Sequence, residues 1–282
     1  MELVQGSQAF LSVVFSWQLQ AAFERACFLR QQGLTVHAGG PAVRVQPDFL
    51  REVACIEEIA FNALPLHNPN ATFTSRGCIR ECAFCAVPKI EGELVELATW
   101  ESKPIICDNN LLACSRTHFD QVIDSLKGVK GVDFNQGLDM RLLTAYHAGR
   151  IAELQLHAVR LAWDSVKEET AFFRALGVLQ AAGIPNGKIF VYVLIGWNDT
   201  PADALYRLET LRKLKIFPNP MRYQPITSKR RNEYIAANWT HRELERFMRY
   251  FSNLKMIGKI PFTEFDLSYH LPMLSPNQLA WA

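Results

Sequence analysis

The stretch KIFVYVLIGWNDTPADAL, residues 188–205, decides how the chain is read. Lys188–Ile195 is a run of β-branched, aliphatic and aromatic residues, as a strand covered on both faces requires. Gly196 breaks the run. Thr200 then stands as an N-cap, Pro201 occupies the first turn and Asp203 lies three residues after the cap, which starts a helix over Ala202–Leu214. Moving outward, the same alternation repeats. Strands are expected near Ala71–Thr74, Pro104–Cys107, Gly131–Phe134, Ala158–Ala162 and Met221–Tyr223. Helices are expected over Arg116–Lys127, Leu142–Leu154, Lys167–Ala182 and Arg242–Leu254, the last opened by Thr240 and Glu243. Strands alternating with helices predict an α/β fold with a parallel sheet. An eight-unit barrel takes about 250 residues. Ala71–Leu254 is shorter and suits a partial (β/α)6 TIM-like barrel; a doubly wound sheet suits the length equally.

The N-terminal stretch has its own rhythm. Phe10–Phe15 reads as a strand, Gln18–Gln32 as a helix ended by Gly33, and Leu34–Ala38 as a second strand closed by Gly39-Gly40-Pro41. Asp48–Glu58 reads as a short helix and Leu64–Asn70 as a linker. The expected organisation is an N-terminal βαβ unit over 1–65, an α/β unit over 71–255 and a C-terminal covering segment over 256–282.

The composition excludes several classes. Thirty basic against 28 acidic residues leave a net charge of +2, so whole-chain charge indicates neither nucleic acid nor membrane. No apolar run is long enough to span a bilayer, and the first residues lack a signal-peptide pattern, so a cytoplasmic protein is expected. Seven cysteines, three of them crowded together, are poor disulfide arithmetic and good metal-site arithmetic.

That crowding is the chemical signal. Cys78, Cys82 and Cys85 stand at C-x3-C-x2-C spacing, so one loop can bring three thiolates to one metal centre. A [4Fe–4S] cluster usually takes four thiolates; three leave one iron open. Zinc sites want four ligands, usually as two separated pairs; His118 and Cys114 could supply a fourth, but nothing in their spacing pairs them with the triad. The remaining cysteines, Cys27, Cys55, Cys107 and Cys114, read as buried small residues.

With Phe84 just before the third cysteine, and the triad just after the first strand of the repeating region, the sequence resembles the radical S-adenosylmethionine (radical SAM) superfamily. The resemblance is to the catalytic domain of the B12-binding type, over about residues 71–225. It implies that the open iron is chelated by S-adenosylmethionine, and that one electron cleaves the sulfonium to give a 5′-deoxyadenosyl radical. It implies an electron donor such as flavodoxin or ferredoxin. The family's Gly-Gly-Glu-like segment after the second strand is replaced by Asp108-Asn109-Asn110, so Asp108 and Asn109 are the candidates for the cofactor's amino group. Gly196 corresponds to the segment whose backbone meets adenine, and Asp164 is placed to reach ribose hydroxyls, Arg160 being its alternative partner. Asn135, Gln136 and Gln224 are candidates for the substrate cavity. The N-terminal unit is similar to the end of a cobalamin-binding domain, but the Asp-x-His-x-x-Gly motif is absent and His37 stands alone, so cobalamin is not expected. A non-catalytic iron–sulfur or zinc protein is the alternative. Lys229-Arg230-Arg231 reads as a solvated face more readily than as a site.

Overall fold

The computed structural model describes residues 1–56, 63–254 and 259–270. The N-terminal layer is a four-stranded sheet in the order β1-β2-β3-β4, formed by β1 (Glu2–Gln5), β2 (Gln8–Ser12), β3 (Thr35–Gly39) and β4 (Cys55–Ile56). β2, α1 (Leu19–Gln31) and β3 make the expected βαβ unit, with β2 and β3 parallel. Two features depart from expectation. Glu2–Gln5 adds an antiparallel edge strand on β2. The helix expected over Asp48–Glu58 is only a 3-10 turn at Pro47–Phe49 followed by β4; residues 57 and 58 lie outside the described residues. This layer has its own core, in which Ala9, Leu11, Val36 and Ala38 of the sheet pack on Leu19, Ala26 and Leu29 of α1. α2 (Pro41–Val45) follows β3, and Cys55 is exposed rather than buried.

After α3 (Leu64–His67), where a linker was expected, comes the second sheet. It begins with β5 (Ala71–Thr72) and continues in β8 (Ile105–Ile106); between them the chain makes a separate two-stranded hairpin of β6 (Ser75–Arg76) and β7 (Val95–Glu96), with α4 (Val87–Ile90) inside it. α5 (Arg116–Ser125), β9 (Lys130–Phe134), α6 (Ala145–Ala152), β10 (Gln155–Ala162), α7 (Glu169–Ala181), β11 (Ile189–Ile195), α8 (Pro201–Lys213), β12 (Phe217–Arg222) and α9 (His241–Ser252) complete the alternation. The sheet order is β12-β11-β10-β9-β8-β5, all parallel, so strands lie side by side in the order of the chain. Right-handed crossovers then put the helices on one face. The burial pattern agrees. Ile189, Val191, Val193 and Ile195 of β11 are fully buried, while Phe190, Tyr192 and Leu194 between them are half-buried on the opposite, open face. The buried set packs with Ile151, Phe172 and Leu208 from three helices. Burying each such aliphatic side chain is worth about 1.5–3 kcal/mol.

β12 is four residues longer at its start than the expected Met221–Tyr223, because Pro218 and Pro220 disguise it. Tyr223 donates its N–H to Ile195 O, so in a parallel ladder the odd-numbered residues face β11 and the two prolines face outward. They remove two donors from the free edge, which therefore offers little to another strand. The helix starts follow local chemistry: Thr200 with Asp203 and Thr240 with Glu243 form the capping boxes read from the sequence, each cap worth about 1 kcal/mol.

The N-terminal layer meets the six-stranded unit through its connections. α2 packs against α4, and Ser16 Oγ donates to Ser228 O at 2.6 Å, both residues being buried. The N-terminal layer thus reaches both the first and the last strand regions of the six-stranded sheet. Of the expected covering segment, residues 259–270 pack on α9: Phe262 and Phe265 are buried, and Arg246 donates to Phe265 O at 2.8 Å. Residues 255–258 and 271–282 lie outside the described residues. No helix among the described residues is long and apolar enough to cross a membrane.

Candidate metal-cluster site

Because the six strands are parallel, their C-terminal ends gather at one end of the sheet. The three cysteines lie there, in the excursion between β6 and β7. Two anchors hold its base. Gly77 has φ +75°, and a Cβ built on it would stand 1.9 Å from Glu93 O, so only glycine fits. Glu91 accepts from Gly77 N at 2.9 Å, Arg76 at 2.7 Å and Asn109 Nδ2 at 2.6 Å. Across the base, Cys78 N donates to Gly92 O at 3.2 Å. Further along, Cys85 N donates to Cys82 O at 2.9 Å, closing a tight turn.

The sulfurs sit among donors. Arg80 N lies 3.4 Å from Cys78 Sγ, and Asn110 Nδ2 lies 3.5 Å from it. Burial pushes the Cys85 thiol up; the Val87 N–H opposes this, and Cys82, Cys78 and Asp164 add to it by their charge. Cys78, Cys82 and Asp164 therefore each lie within electrostatic reach of Cys85. Arg141 feels Cys82 and pairs with Asp139 at 2.7 Å; Asp139 also takes Arg80 at 3.1 Å and Asn110 at 3.3 Å. Burial opposes ionisation of Asp139, but Arg141 and Arg80 outweigh it and hold the carboxyl below its usual range. Among the described residues, no three His, Cys, Asp or Glu side chains stand as ligands of a single metal ion. A cubane takes each thiolate on a different iron, so its ligands stand further apart than those of one ion.

The other expected site residues divide sharply. Asp108 is not free for a ligand: it is 3% exposed, and its carboxylate accepts from Thr74 N at 2.6 Å, from Thr74 Oγ1 and from Ser75 Oγ at 2.9 Å. It fixes the strand that carries the cysteine loop. Asn109 holds Glu91. Gly196 gives its N–H to Asp199 at 3.0 Å and has φ +73°, and that left-handed backbone, with Leu244 of α9 packed close by, accounts for the glycine. Asp164 remains at the site. Burial, then the charge of Glu168, pushes its carboxyl up to about 6, and Leu194 N donates to it at 3.3 Å. Arg160 does not pair with Asp164; its guanidinium forms a two-point bridge to Asp133 at 2.7 and 2.6 Å on the open face. Phe84 is half-buried in the cysteine loop.

Of the substrate candidates, Asn135 bonds the Cys107 thiol and takes the Tyr192 hydroxyl on its carbonyl at 2.7 Å, while Gln136 is exposed. Gln224 is spent on Asn232, accepting from its N at 2.8 Å. His118 and Cys114 do not join the triad. His118 Nε2 lies 3.2 Å from Thr74 Oγ1, and burial pushes the Cys114 thiol up to about 11, which leaves it protonated at neutral pH. Glu91, Asn110 and Asp139 were missed as site residues. Asn110 and Asp139 had a signal, as polar residues at strand ends; Glu91 had none, since its role depends on a loop folding back. The chain matches no known family model and no curated protein.

Proposed function

We propose that this chain is a radical SAM enzyme with a [4Fe–4S] cluster on Cys78, Cys82 and Cys85, built on a partial (β/α)6 barrel. The observation that carries the reading is the glycine-pinned loop at the C-terminal end of a sequentially ordered parallel sheet. It sets the Cys78 and Cys82 thiols within electrostatic reach of Cys85. When bound, such a cluster supplies the electron that cleaves the sulfonium of S-adenosylmethionine. Everything else falls to the chain. Gly77 and Glu91 shape the loop. Asp108, through Thr74 and Ser75, fixes its stem. Asn110 is 2% exposed and directs its amide N–H at Cys78; its Oδ1 has no hydrogen-bond partner among the described residues, and is the acceptor the reading assigns to the cofactor's ammonium. Asp164, whose charge reaches Cys85, is the group left to meet ribose hydroxyls.

A second reading, an iron–sulfur protein without turnover, is favoured by one observation: Asp108 and the Gly196 N–H, both expected on the cofactor, have structural partners instead. Anaerobic reconstitution with iron and sulfide, then dithionite and S-adenosylmethionine, separates the two. About four irons per chain and release of 5′-deoxyadenosine support the enzyme. A loaded cluster that cleaves nothing leaves the second reading.

A further inference from the structure

The loop after β12 carries a feature that whole-chain charge conceals. Lys229, Arg230 and Arg231 are exposed and contiguous, and none has an ion-pair or side-chain hydrogen-bond partner among the described residues. Elsewhere guanidinium groups are matched: Arg25, Arg76, Arg80, Arg150 and Arg160 all sit in ion pairs. The loop is also built rather than loose. Arg222 ties it by donating to Asn232 O at 2.6 Å and Tyr234 O at 3.0 Å, and Gln224 holds Asn232. Beside the basic run lies an open cavity of about 490 Å³ lined by Thr227, Ser228, Lys229, Glu233, Tyr234 and Ile235. Its one carboxylate, Glu233, accepts from Lys229 N at 2.7 Å.

Aromatic rings stand on two sides. Trp197, Tyr223 and Tyr234 form a chain with centroids 4.3 and 5.2 Å apart, leading from the end of β11 to the cavity. Phe15 and Trp17 stack at 4.5 Å with planes 6° apart, and Phe15 is 48% exposed. They flank Ser16, which bonds to Ser228 O, the residue before Lys229, so the pair and the basic run approach the same seam between the N-terminal layer and the loop after β12. Cations without a partner among the described residues and an exposed aromatic ring on the same seam are what a nucleic-acid strand with unstacked bases needs: phosphates meet the cations and a base stacks on the free outer face of the ring pair.

We propose that this surface binds single-stranded nucleic acid, with phosphates on Lys229, Arg230 and Arg231 and a base against Phe15 and Trp17. A duplex hides its base faces and would use only the cations. An anionic membrane would be met by a longer basic cluster or an amphipathic helix, and the loop is neither. The proposal does not rest on the cluster.

The test is fluorescence anisotropy of the full, metal-free chain with labelled oligouridine and oligothymidine of about 12 nucleotides. Three phosphate contacts on a single strand give a salt slope of about −2, so affinity falls about twentyfold between 50 and 200 mM salt. Lys229→Ala/Arg230→Ala/Arg231→Ala should flatten the slope. Phe15→Ala should weaken binding about fivefold or more with the slope unchanged. All four side chains are exposed, and circular dichroism checks that the variants fold. Preference for oligouridine names RNA, and equal binding names either strand; both uphold the proposal. It is overturned if neither oligonucleotide binds at 50 mM salt, if the triple variant keeps the slope, or if Phe15→Ala is silent. It is equally overturned if polyglutamate or phosphatidylserine vesicles bind as tightly and compete.

Discussion

Replacing Gly77 tests the cysteine loop most directly. Its φ of +75° alone costs a side-chain-bearing residue about 1–3 kcal/mol. The larger obstacle is steric: a Cβ would lie 1.9 Å from Glu93 O, 2.6 Å from Glu93 C and 2.8 Å from Gly92 O, all backbone. The chain at Gly92–Glu93 must move, and Glu91 then loses its bond from Gly77 N, a charge-assisted contact worth about 1.5–3 kcal/mol. The local cost is about 3–6 kcal/mol. No residue from Phe73 to Thr99 belongs to either hydrophobic core, so the loop opens while the sheets stay folded. Gly77→Ala and Gly77→Asn should therefore keep the circular dichroism spectrum and melt within a few degrees of the parent, yet bind well under half its iron after reconstitution. Asn relieves the backbone strain, because it tolerates positive φ, but it keeps the Cβ. Full iron loading in Gly77→Asn would refute the steric argument, and full loading in both would remove the loop base from the site.

Asp108→Asn should lose about 1–3 kcal/mol, since an amide has a single acceptor oxygen and cannot take both the Thr74 N–H on one side and the two hydroxyls on the other; iron uptake should fall while S-adenosylmethionine affinity per loaded cluster holds, and the reverse pattern would return Asp108 to the ligand. Arg207 is wholly buried and donates to Asp199 at 2.7 Å and to the carbonyls of Trp163 and Leu194, joining the ends of β10 and β11. Arg207→Met should cost about 3–5 kcal/mol in urea unfolding by stranding Asp199, and adding Asp199→Leu should recover part of it. The raised carboxyl of Asp164 destabilises the metal-free fold at neutral pH: the folded form holds the proton more tightly, so stability declines as pH rises from about 4 to 6 and the penalty is absent below about 4. Asp164→Asn should therefore raise the urea midpoint at pH 7, by about 1–3 kcal/mol in stability, and change nothing at pH 4; an equal effect at both would show that packing, not ionisation, is responsible.

The sequence by itself determined the alternation of strands and helices, the capping of α8 and α9, and the run of three cysteines. Each rests on chemistry within a few residues: β-branched runs, a hydroxyl three residues before a carboxylate, thiols in one loop. The parallel βαβ unit at the N-terminus was legible for the same reason. What only the tertiary structure decided depends on groups far apart in the chain. Pro218 and Pro220 argue against a strand until β12 is known to be an edge. Asp108 looks like a ligand until it meets Thr74 and Ser75, and Arg160 looks like a partner of Asp164 until β9 brings Asp133 alongside. Glu91 is unremarkable until the loop returns to Gly77. The Phe15–Trp17 pair and the basic run at Lys229 lie more than 200 residues apart and approach the same seam only because Ser16 reaches Ser228. A local pattern records the backbone's own preferences, whereas a side chain's partner is chosen by which strands the sheet sets next to one another.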